Sequence, residues 1–288
     1  AAGVIRYVAR INHNNAATHA HFAIGMDARG NAKAGPGPIA LPPKLGFTPY
    51  QIFVSPNGLY TVYMQGVEPG GRPYIYNKTS QKINVLFERY SGGSFFGWHP
   101  DGRRFLFWID GVGLMLVDSE SLEVVMLDYP NGPVQGAAIS PDGLTVAYIP
   151  ENPPVSSAVW FVSTAGSDAR LQFDAGGSPY LYSTAWSPDN SHLLYWGNCP
   201  EPSATVQTPM HSSLCLFDTK THSTQGLKLP YVGFAPVWSP DGHYIAATGA
   251  TPGEQECSGK GFSESEAEKC LYQGRSIYVI DVGTGAAT

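Results

Sequence analysis

Charged side chains are scarce in this chain of 288 residues. Asp, Glu, Lys and Arg make up 14% of it, with 23 acidic residues against 17 basic ones. The resulting net charge of −6 gives no basic stripe for a phosphate backbone, so we expect no nucleic-acid partner. No apolar run approaches the roughly 20 residues that cross a bilayer, so no membrane-spanning segment is predicted. Hydrophobic residues reach 43%, which excludes a disordered chain.

Familiar catalytic motifs are missing as well. The chain has no Gly-x-Ser-x-Gly elbow, no HExxH, no P-loop and no Gly-x-Gly-x-x-Gly between a strand and a helix. A triad scattered along the chain would not show in sequence order. We therefore predict a non-catalytic protein without a cofactor, and the expectation is open to test by assay.

A tetrapeptide recurs five times, at steps of 44, 41, 47 and 52 residues from proline to proline. Proline presets φ and the final glycine accepts a positive φ, so each copy predicts a tight hairpin turn. Short apolar strands precede the turns at 51–54, 95–98, 137–139, 184–186 and 236–238, and follow them at 60–64, 105–108, 145–149, 192–196 and 244–248. The copies are Ser55-Pro56-Asn57-Gly58, His99-Pro100-Asp101-Gly102, Ser140-Pro141-Asp142-Gly143, Ser187-Pro188-Asp189-Asn190 and Ser239-Pro240-Asp241-Gly242.

A second pattern appears six times: an apolar strand that ends in a polar turn. The strands are residues 22–25, 74–76, 114–117, 159–162, 214–217 and 277–280. Six copies of this pattern against five of the tetrapeptide indicate six repeats, the first without its inner strand. The aspartates of the tetrapeptides are expected to accept hydrogen bonds from their own turns, with metal binding as the alternative.

Together the two patterns resemble the repeat of TolB-type β-propellers, over nearly the whole chain. The resemblance implies an all-β fold of six four-stranded blades in one domain, with an incomplete blade at the seam. The expected blades are residues 1–46, 47–89, 90–129, 130–174, 175–229 and 230–288. The first blade lacks an inner strand and the last has almost no outer one, so we expect the natural chain to continue beyond both ends.

Four cysteines form two local pairs, Cys199 with Cys215 and Cys257 with Cys270. Each pair brackets one predicted loop, and a disulfide closing such a loop stabilises the fold by about 3 kcal/mol. Buried free thiols are the alternative, whereas the lack of CxxC spacing argues against zinc. Disulfides predict a periplasmic or extracellular protein.

The predicted binding face carries the loops between the second and third strands and between successive blades. Its insertions are expected at 12–20, 66–72, 150–157, 197–213 and 249–276, with only 110–113 short. Long ordered loops on a rigid scaffold commonly bind ligands. Aromatic residues leading into the inner strands are candidate contacts there, with packing between blades as the alternative. They are Phe47, Tyr50, Phe95, Phe96, Tyr180, Tyr182, Tyr231 and Phe234.

Two further groups are candidates for binding. The acidic run with Glu254, Glu256, Glu264 and Glu266 either docks a basic partner or forms a solvated surface. His19 and His21 alternate on one side of a predicted strand and could share a metal ion.

The resemblance implies a non-catalytic scaffold that docks a protein partner, and membership of a larger complex at the outer face of a membrane is a further expectation. Two alternatives stay open. A ring of this kind gates the catalytic domain in prolyl oligopeptidase-like peptidases, and an aromatic channel mouth also suits carbohydrate.

Overall fold

The computed structural model of the chain describes residues 4–13, 16–25, 37–38, 41–42, 45–47, 49–66, 71–90, 92–127, 133–150, 158–174, 182–197, 213–227, 236–249 and 276–285. These residues form strands, turns and bends, with no helix among them. The described part of the chain therefore contains no helix long and apolar enough to cross a bilayer. The chain divides into two compact units, Ala1–Ser94 and Phe95–Thr288.

The first unit contains two antiparallel sheets whose strands follow one another in chain order. Sheet one consists of β1 (Val4–His13), β2 (Ala16–Gly25) and β3 (Gly37–Pro38). Sheet two consists of β4 (Gln51–Val54), β5 (Tyr60–Gln65), β6 (Arg72–Asn77) and β7 (Lys82–Val85).

Four more sheets of the same kind follow, the first of them beginning at the boundary between the units. Sheet three is β8 (Gly93–Trp98), β9 (Arg104–Ile109), β10 (Gly113–Asp118) and β11 (Val124–Met126). Sheet four is β12 (Val134–Ile139), β13 (Thr145–Pro150), β14 (Ala158–Ser163) and β15 (Arg170–Asp174). Sheet five is β16 (Tyr182–Trp186), β17 (His192–Gly197), β18 (Ser213–Asp218) and β19 (Thr224–Leu227), and sheet six is β20 (Val237–Trp238), β21 (Tyr244–Gly249) and β22 (Ser276–Asp281).

The prediction of an all-β fold built from repeated four-stranded sheets is confirmed. The described residues form six sheets, and those with three strands are the first and the last, as the repeat count predicts. Every strand predicted beside a tetrapeptide is present, within a few residues of its expected bounds. The division into six blades of one domain stays a prediction.

The prediction of a loop over residues 12–20 is wrong. These residues belong to the long hairpin of β1 and β2, whose register runs from Val4 opposite Gly25 to His13 opposite Ala16. Only residues 14 and 15 lie between the paired ends. Both are asparagine, a residue type that two-residue hairpin connections favour. The continuous ladder satisfies the backbone groups that a loop would expose to water.

The core lies between neighbouring sheets, because the central strands are covered on both faces. All but the first residue of β9 and of β13 are buried, which matches their nearly continuous apolar sequences. Between sheets four and five, Ile149 and Val159 pack with Tyr195 and Phe217 in one cluster. Burial of such side chains stabilises the fold by about 1.5–3 kcal/mol each.

Indole hydrogen bonds tie some sheets to the preceding sheet. Trp186 Nε1 donates to the Ala138 carbonyl at 3.1 Å, and Trp238 Nε1 donates to the Ala185 carbonyl at the same distance. The Trp186 ring also packs against Phe161, with ring centroids 5.0 Å apart. Each tryptophan directly precedes the serine of a turn, so one sequence position joins sheets four, five and six.

Candidate functional site

Each of sheets two to six presents two different ends. At the end that we call the turn edge, the first strand connects to the second and the third to the fourth. At the opposite end, the loop edge, the second strand connects to the third and each sheet to the next. The tetrapeptide turns all have the same length, whereas the loop-edge connections range from residues 110–112 to residues 250–275.

The turn edge satisfies most of its own polar groups, and the buried Ser119 Oγ is an exception among the described residues. In the turn between β12 and β13, Ser140 Oγ accepts the Thr145 N–H at 3.0 Å and donates to Asp142 Oδ1 at 2.6 Å. Asp142 Oδ1 also accepts the Leu144 N–H at 2.9 Å. The same bonds recur in the turns that begin at Ser55, Ser187 and Ser239. The prediction that the turn aspartates bond their own backbone is confirmed.

The second turns of sheets three and five use a carboxylate in the same way, whereas sheet two uses the Asn77 amide and sheet four the Ser163 hydroxyl. Asp118 Oδ1 accepts the N–H groups of Glu120 and Ser121, both at 2.9 Å. The Ser119 N–H then donates to the Arg103 carbonyl at 3.0 Å, which joins the two turns of sheet three. Such hydrogen bonds occupy the groups that a partner would otherwise use, so the turn edge is stabilised at the expense of binding capacity.

Hydrogen bonds to the ionised form lower the pKa of several turn carboxyls. The hydroxyls of Ser187 and Ser191 and a backbone N–H bring the pKa of Asp189 to about 2. For Asp101, burial raises the pKa, but the N–H groups of Arg104 and Arg103 and the Arg104 side chain outweigh it, and the pKa is again about 2. These carboxylates stay charged near neutral pH, as acceptors in a turn must.

The turn between β8 and β9 departs from this pattern because His99 replaces the serine. His99 is 6% exposed, and its Nε2 donates to the carbonyl of Gly143 in sheet four at 2.9 Å. Its Nδ1 lies 3.2 Å from the Asp101 nitrogen and 3.0 Å from Asp101 Oδ2. The Arg104 guanidinium contacts both the ring and the carboxylate. The histidine therefore joins two sheets as well as closing its own turn.

The loop edge is where the sequence predicts binding, and most of its connections lie outside the described residues. The predicted short connection at 110–113 is confirmed: Val112 N–H donates to the Ile109 carbonyl at 3.1 Å in a tight turn. The connections 151–157, 198–212 and 250–275 fall outside the description. So do Tyr180, Tyr231, Phe234, Glu254, Glu256, Glu264 and Glu266, whose binding role stays a prediction.

Several predicted aromatic residues are described, and they pack within the protein. The Phe95 ring stacks on Phe105 at a centroid distance of 5.7 Å, and Phe96 packs against the core between sheets three and four. Phe47 lies against Tyr74, with centroids 4.6 Å apart. Two more predicted contacts occupy the loop-edge ends of inner strands. Tyr50 directly precedes β4 and is half-buried, and Tyr182 begins β16, with its side chain outside the description.

The sequence reasoning missed polar residues on the first strand of several sheets, which we call the inner strand. Gln51 Oε1 in the first unit, and Gln135 Oε1 and Thr184 Oγ1 in the second, are buried and have no hydrogen-bond partner among the described residues. Gln51 and Gln135 lie in the loop-edge half of the first strand of their sheet, and Thr184 is the central residue of β16. A polar residue interrupting a short apolar strand was the signal that could have found them.

Irregular pairing accompanies two of these residues. The register of β12 shifts between Val134 and Gly136, which leaves Gln135 as the extra residue, and the register of β16 shifts between Tyr182 and Thr184. Bulges of this kind re-aim side chains and are frequent beside binding sites. The loop-edge half of these strands is therefore less regular than the half that enters the turns.

The predicted disulfide and metal residues are only partly described. Cys215 is fully buried on β18 and is disulfide-bonded. Cys199, Cys257 and Cys270 lie outside the described residues, so the pairing stays a prediction. The backbone register places His19 and His21 two residues apart on β2, opposite Arg10 and Val8, and their side chains are not described. Among the described residues no group of three or more metal-ligating side chains occurs.

Comparison with solved structures identifies the fold as a β-propeller. TolB from Acinetobacter baumannii superposes with a TM-score of 0.61 at 13% identity, over 99% of this chain and 62% of TolB. The β-propeller domain of the Trilobed protease from Pyrococcus furiosus gives 0.59 at 15% identity, over 99% of this chain and 80% of that one. The acylaminoacyl peptidase of Pyrococcus horikoshii gives 0.58 at 12% identity, over 99% of this chain and 44% of that one.

The chain thus spans less than two thirds of the length of this TolB. No protein-family model and no curated protein matches the sequence. The TolB-like architecture therefore rests on three-dimensional similarity together with the repeat.

Proposed function

We propose that this chain is a non-catalytic binding propeller that docks a protein partner through its loop edge, outside the cytoplasm. The observation that carries the proposal is the contrast between the two edges. The turn edge uses most of its polar groups in its own hydrogen bonds, with the buried Ser119 Oγ as an exception. In the second unit, the first strands of sheets four and five leave buried oxygens of Gln135 and Thr184 without partners among the described residues.

Such oxygens favour a binding role because an unpaired buried acceptor costs about 1–3 kcal/mol unless water or a ligand supplies a donor. Amide and hydroxyl acceptors suit the N–H groups of a peptide segment. The variable connections of the same edge supply the surface around them. TolB-like similarity supports the architecture of a docking scaffold, while the docking itself is our proposal.

A location outside the cytoplasm is supported by Cys215, since structural disulfides persist in oxidising compartments. The periplasm or the cell exterior fits both this residue and the TolB-like fold. Intact mass measured with and without reductant tests the predicted pairs, each of which adds about 2 Da when reduced. An unchanged mass would contradict the location as well as the pairing.

The decisive experiment is purification of the tagged full-length protein from its native membranes and periplasm, followed by mass spectrometry. We expect a stoichiometric protein partner. A variant carrying Gln135→Ala and Thr184→Val should lose this partner while keeping its thermal transition. Leu144→Ala, which alters an exposed side chain on the turn edge, is the matched control and should retain it.

Loss of the partner from the turn-edge control alone would place the contact elsewhere and contradict the proposal. Recovery of the chain without any partner would favour the second candidate, a propeller domain of a larger peptidase. That candidate is favoured by the Trilobed protease, whose isolated propeller domain this chain spans along 80% of its length. A peptidase assay on the full-length natural protein, with a serine-directed inhibitor as control, separates the two.

A further inference from the structure

The strand β11 is the last strand of sheet three, and it differs from the last strands of the other four-stranded sheets, β7, β15 and β19. Its residues Val124, Val125 and Met126 are all apolar and are 40%, 40% and 44% exposed. The strands β7, β15 and β19 instead mix polar with apolar residues, and each contains half-buried positions. An exposed apolar edge strand invites pairing with another chain, and proteins usually protect such edges with charge or proline.

The register of β11 shows which backbone groups point outward. The Asp118 N–H donates to Glu123 O at 2.9 Å, and the Leu127 N–H donates to Leu114 O at 3.0 Å. Bonded pairs alternate along an antiparallel ladder, so the intervening bonded pair is Leu116 with Val125. The N–H and C=O groups of Val124 and Met126 therefore face away from β10.

One end of this edge is acidic. Asp118 is paired with Arg103 at 2.6 Å, and Arg103 Nη1 also lies 3.7 Å from Glu120 Oε2. Glu123, which is exposed, accepts a hydrogen bond from the Ser121 hydroxyl at 3.2 Å and forms no ion pair within the described part of the chain. Three carboxylates and one guanidinium leave the turn before β11 with an excess of negative charge.

At the other end of β11, a turn of sheet four limits the space beside the strand. A Cβ built on Gly166 would lie 2.7 Å from the Met126 carbonyl and 3.2 Å from Val125 Cγ1. The turn containing Gly166 therefore abuts the end of β11 beside Met126. An incoming segment has more room at Val124, next to the acidic turn.

We propose that β11 is a docking edge for an extended segment of a protein partner, with alternating apolar residues and a lysine or arginine at the end that reaches Glu120 and Glu123. Main-chain hydrogen bonds to Val124 provide the pairing, the apolar side chains cover the exposed strand, and the cation neutralises the acidic turn. This surface is separate from the loop edge, so the inference goes beyond the proposed function. A second copy of this chain fits less well, because its β11 is preceded by the same excess of carboxylates.

Peptide binding to the purified chain tests the proposal by fluorescence anisotropy. The probe is Lys-Val-Thr-Val-Thr-Val with a dye at its far end, and the matched probe replaces lysine with glutamate. We expect the basic peptide to bind about five-fold more tightly at low ionic strength, a preference that salt removes. Val124→Lys should weaken its binding about ten-fold, because it adds a charge to the edge that the segment covers.

A charge reversal provides the specific readout. Glu123→Lys should reverse the preference in favour of the acidic peptide, a result that a general loss of structure does not produce. Leu171→Lys, at an exposed position of β15, is the matched control and should leave binding unchanged.

Three results would overturn the proposal: equal or absent binding of the two peptides, equal weakening by Leu171→Lys, or failure of Glu123→Lys to alter the preference. Analytical sedimentation, which measures the oligomeric state, tests whether a second copy of the chain occupies this edge instead. A dimer that Val124→Lys dissociates would assign the edge to a second copy of the chain.

Discussion

The turns that begin with Ser140 and with His99 occupy the same position in neighbouring repeats, yet they differ in what they hold together. The Ser140 hydroxyl forms hydrogen bonds within its own turn, with Thr145 N–H and Asp142 Oδ1. His99 extends a ring out of its turn and donates to the carbonyl of Gly143 in the next sheet. A change that preserves the local turn thus adds a bond between sheets.

The turn of sheet four that begins with Ser140 forms hydrogen bonds with both neighbouring sheets. Each partner is a residue that departs from the repeated tetrapeptide. Asn190, which stands at a glycine position with φ of 61°, accepts the Asp142 N–H at 3.2 Å from sheet five. His99 approaches from sheet three. Small differences between copies of a turn therefore determine which sheets are joined by polar contacts, while the turns themselves stay alike.

The largest effect is expected from Gly143→Ala. A Cβ at this position would lie 2.5 Å from His99 Nε2, and its φ of 75° is unfavourable for alanine. We expect a loss of about 3 kcal/mol in the free energy of unfolding, measured by urea denaturation. Gly58→Ala is the control, since its φ is 69° with open space around it, and should cost only about 1 kcal/mol. Equal losses would show that the contact with His99 is unimportant.

His99→Ser converts the exceptional turn into the common one. The variant should lose about 2 kcal/mol, because the Gly143 carbonyl loses its donor and the buried ring leaves a cavity. In this background Gly143→Ala should cost only about 1 kcal/mol, since only the backbone strain is left. The double-mutant cycle measures the coupling. Simple additivity of the two changes would contradict the described contact.

The tryptophans before the turns extend the comparison to a second kind of bond between sheets. Trp186→Phe removes the donor to Ala138, whereas Trp98→Phe removes a buried indole N–H that has no partner among the described residues. Both changes lose similar packing. We expect Trp186→Phe to be the more destabilising by about 1 kcal/mol in thermal or urea unfolding. The reverse order would mean that the indole bond adds nothing.

The smallest effect concerns acid stability. The folded pKa values of Asp101 and Asp189, about 2, lie below the usual value near 3.9 for an unfolded chain. Their stabilisation is therefore complete above about pH 4 and is lost as the pH falls towards about 2. Salt distinguishes the two carboxyls, because Arg104 and His99 assist Asp101 whereas serine hydroxyls hold Asp189. Asp101→Asn and Asp189→Asn should each reduce the loss of stability at low pH. Added salt should diminish the effect of Asp101→Asn and leave the effect of Asp189→Asn unchanged. Acid titrations followed by circular dichroism measure both effects.

Sequence reasoning predicted the elements that depend on neighbouring residues. The tetrapeptide turns form because serine, proline and aspartate act within six residues, and the strands beside them follow from apolar runs of matching length. It was wrong at residues 12–20, where polar and small residues suggested a loop and cross-strand pairing made a hairpin. Phe95 and Phe96, predicted as binding candidates with packing as the alternative, contact neighbouring side chains, and their binding role stays a prediction.

By itself, the sequence determined the repeat, the position of every tetrapeptide turn, the strands on either side and the residues that close each turn, because all of these depend on local chain geometry. Only the tertiary structure decided that His99 and Asn190 reach neighbouring sheets, that Gln135 and Thr184 lie buried without partners in the described part of the chain, and that β11 is exposed along its length. Those properties depend on residues 40 or more positions apart or on the burial of a whole strand. Local patterns carry no information about which side chain meets which across the space between two sheets.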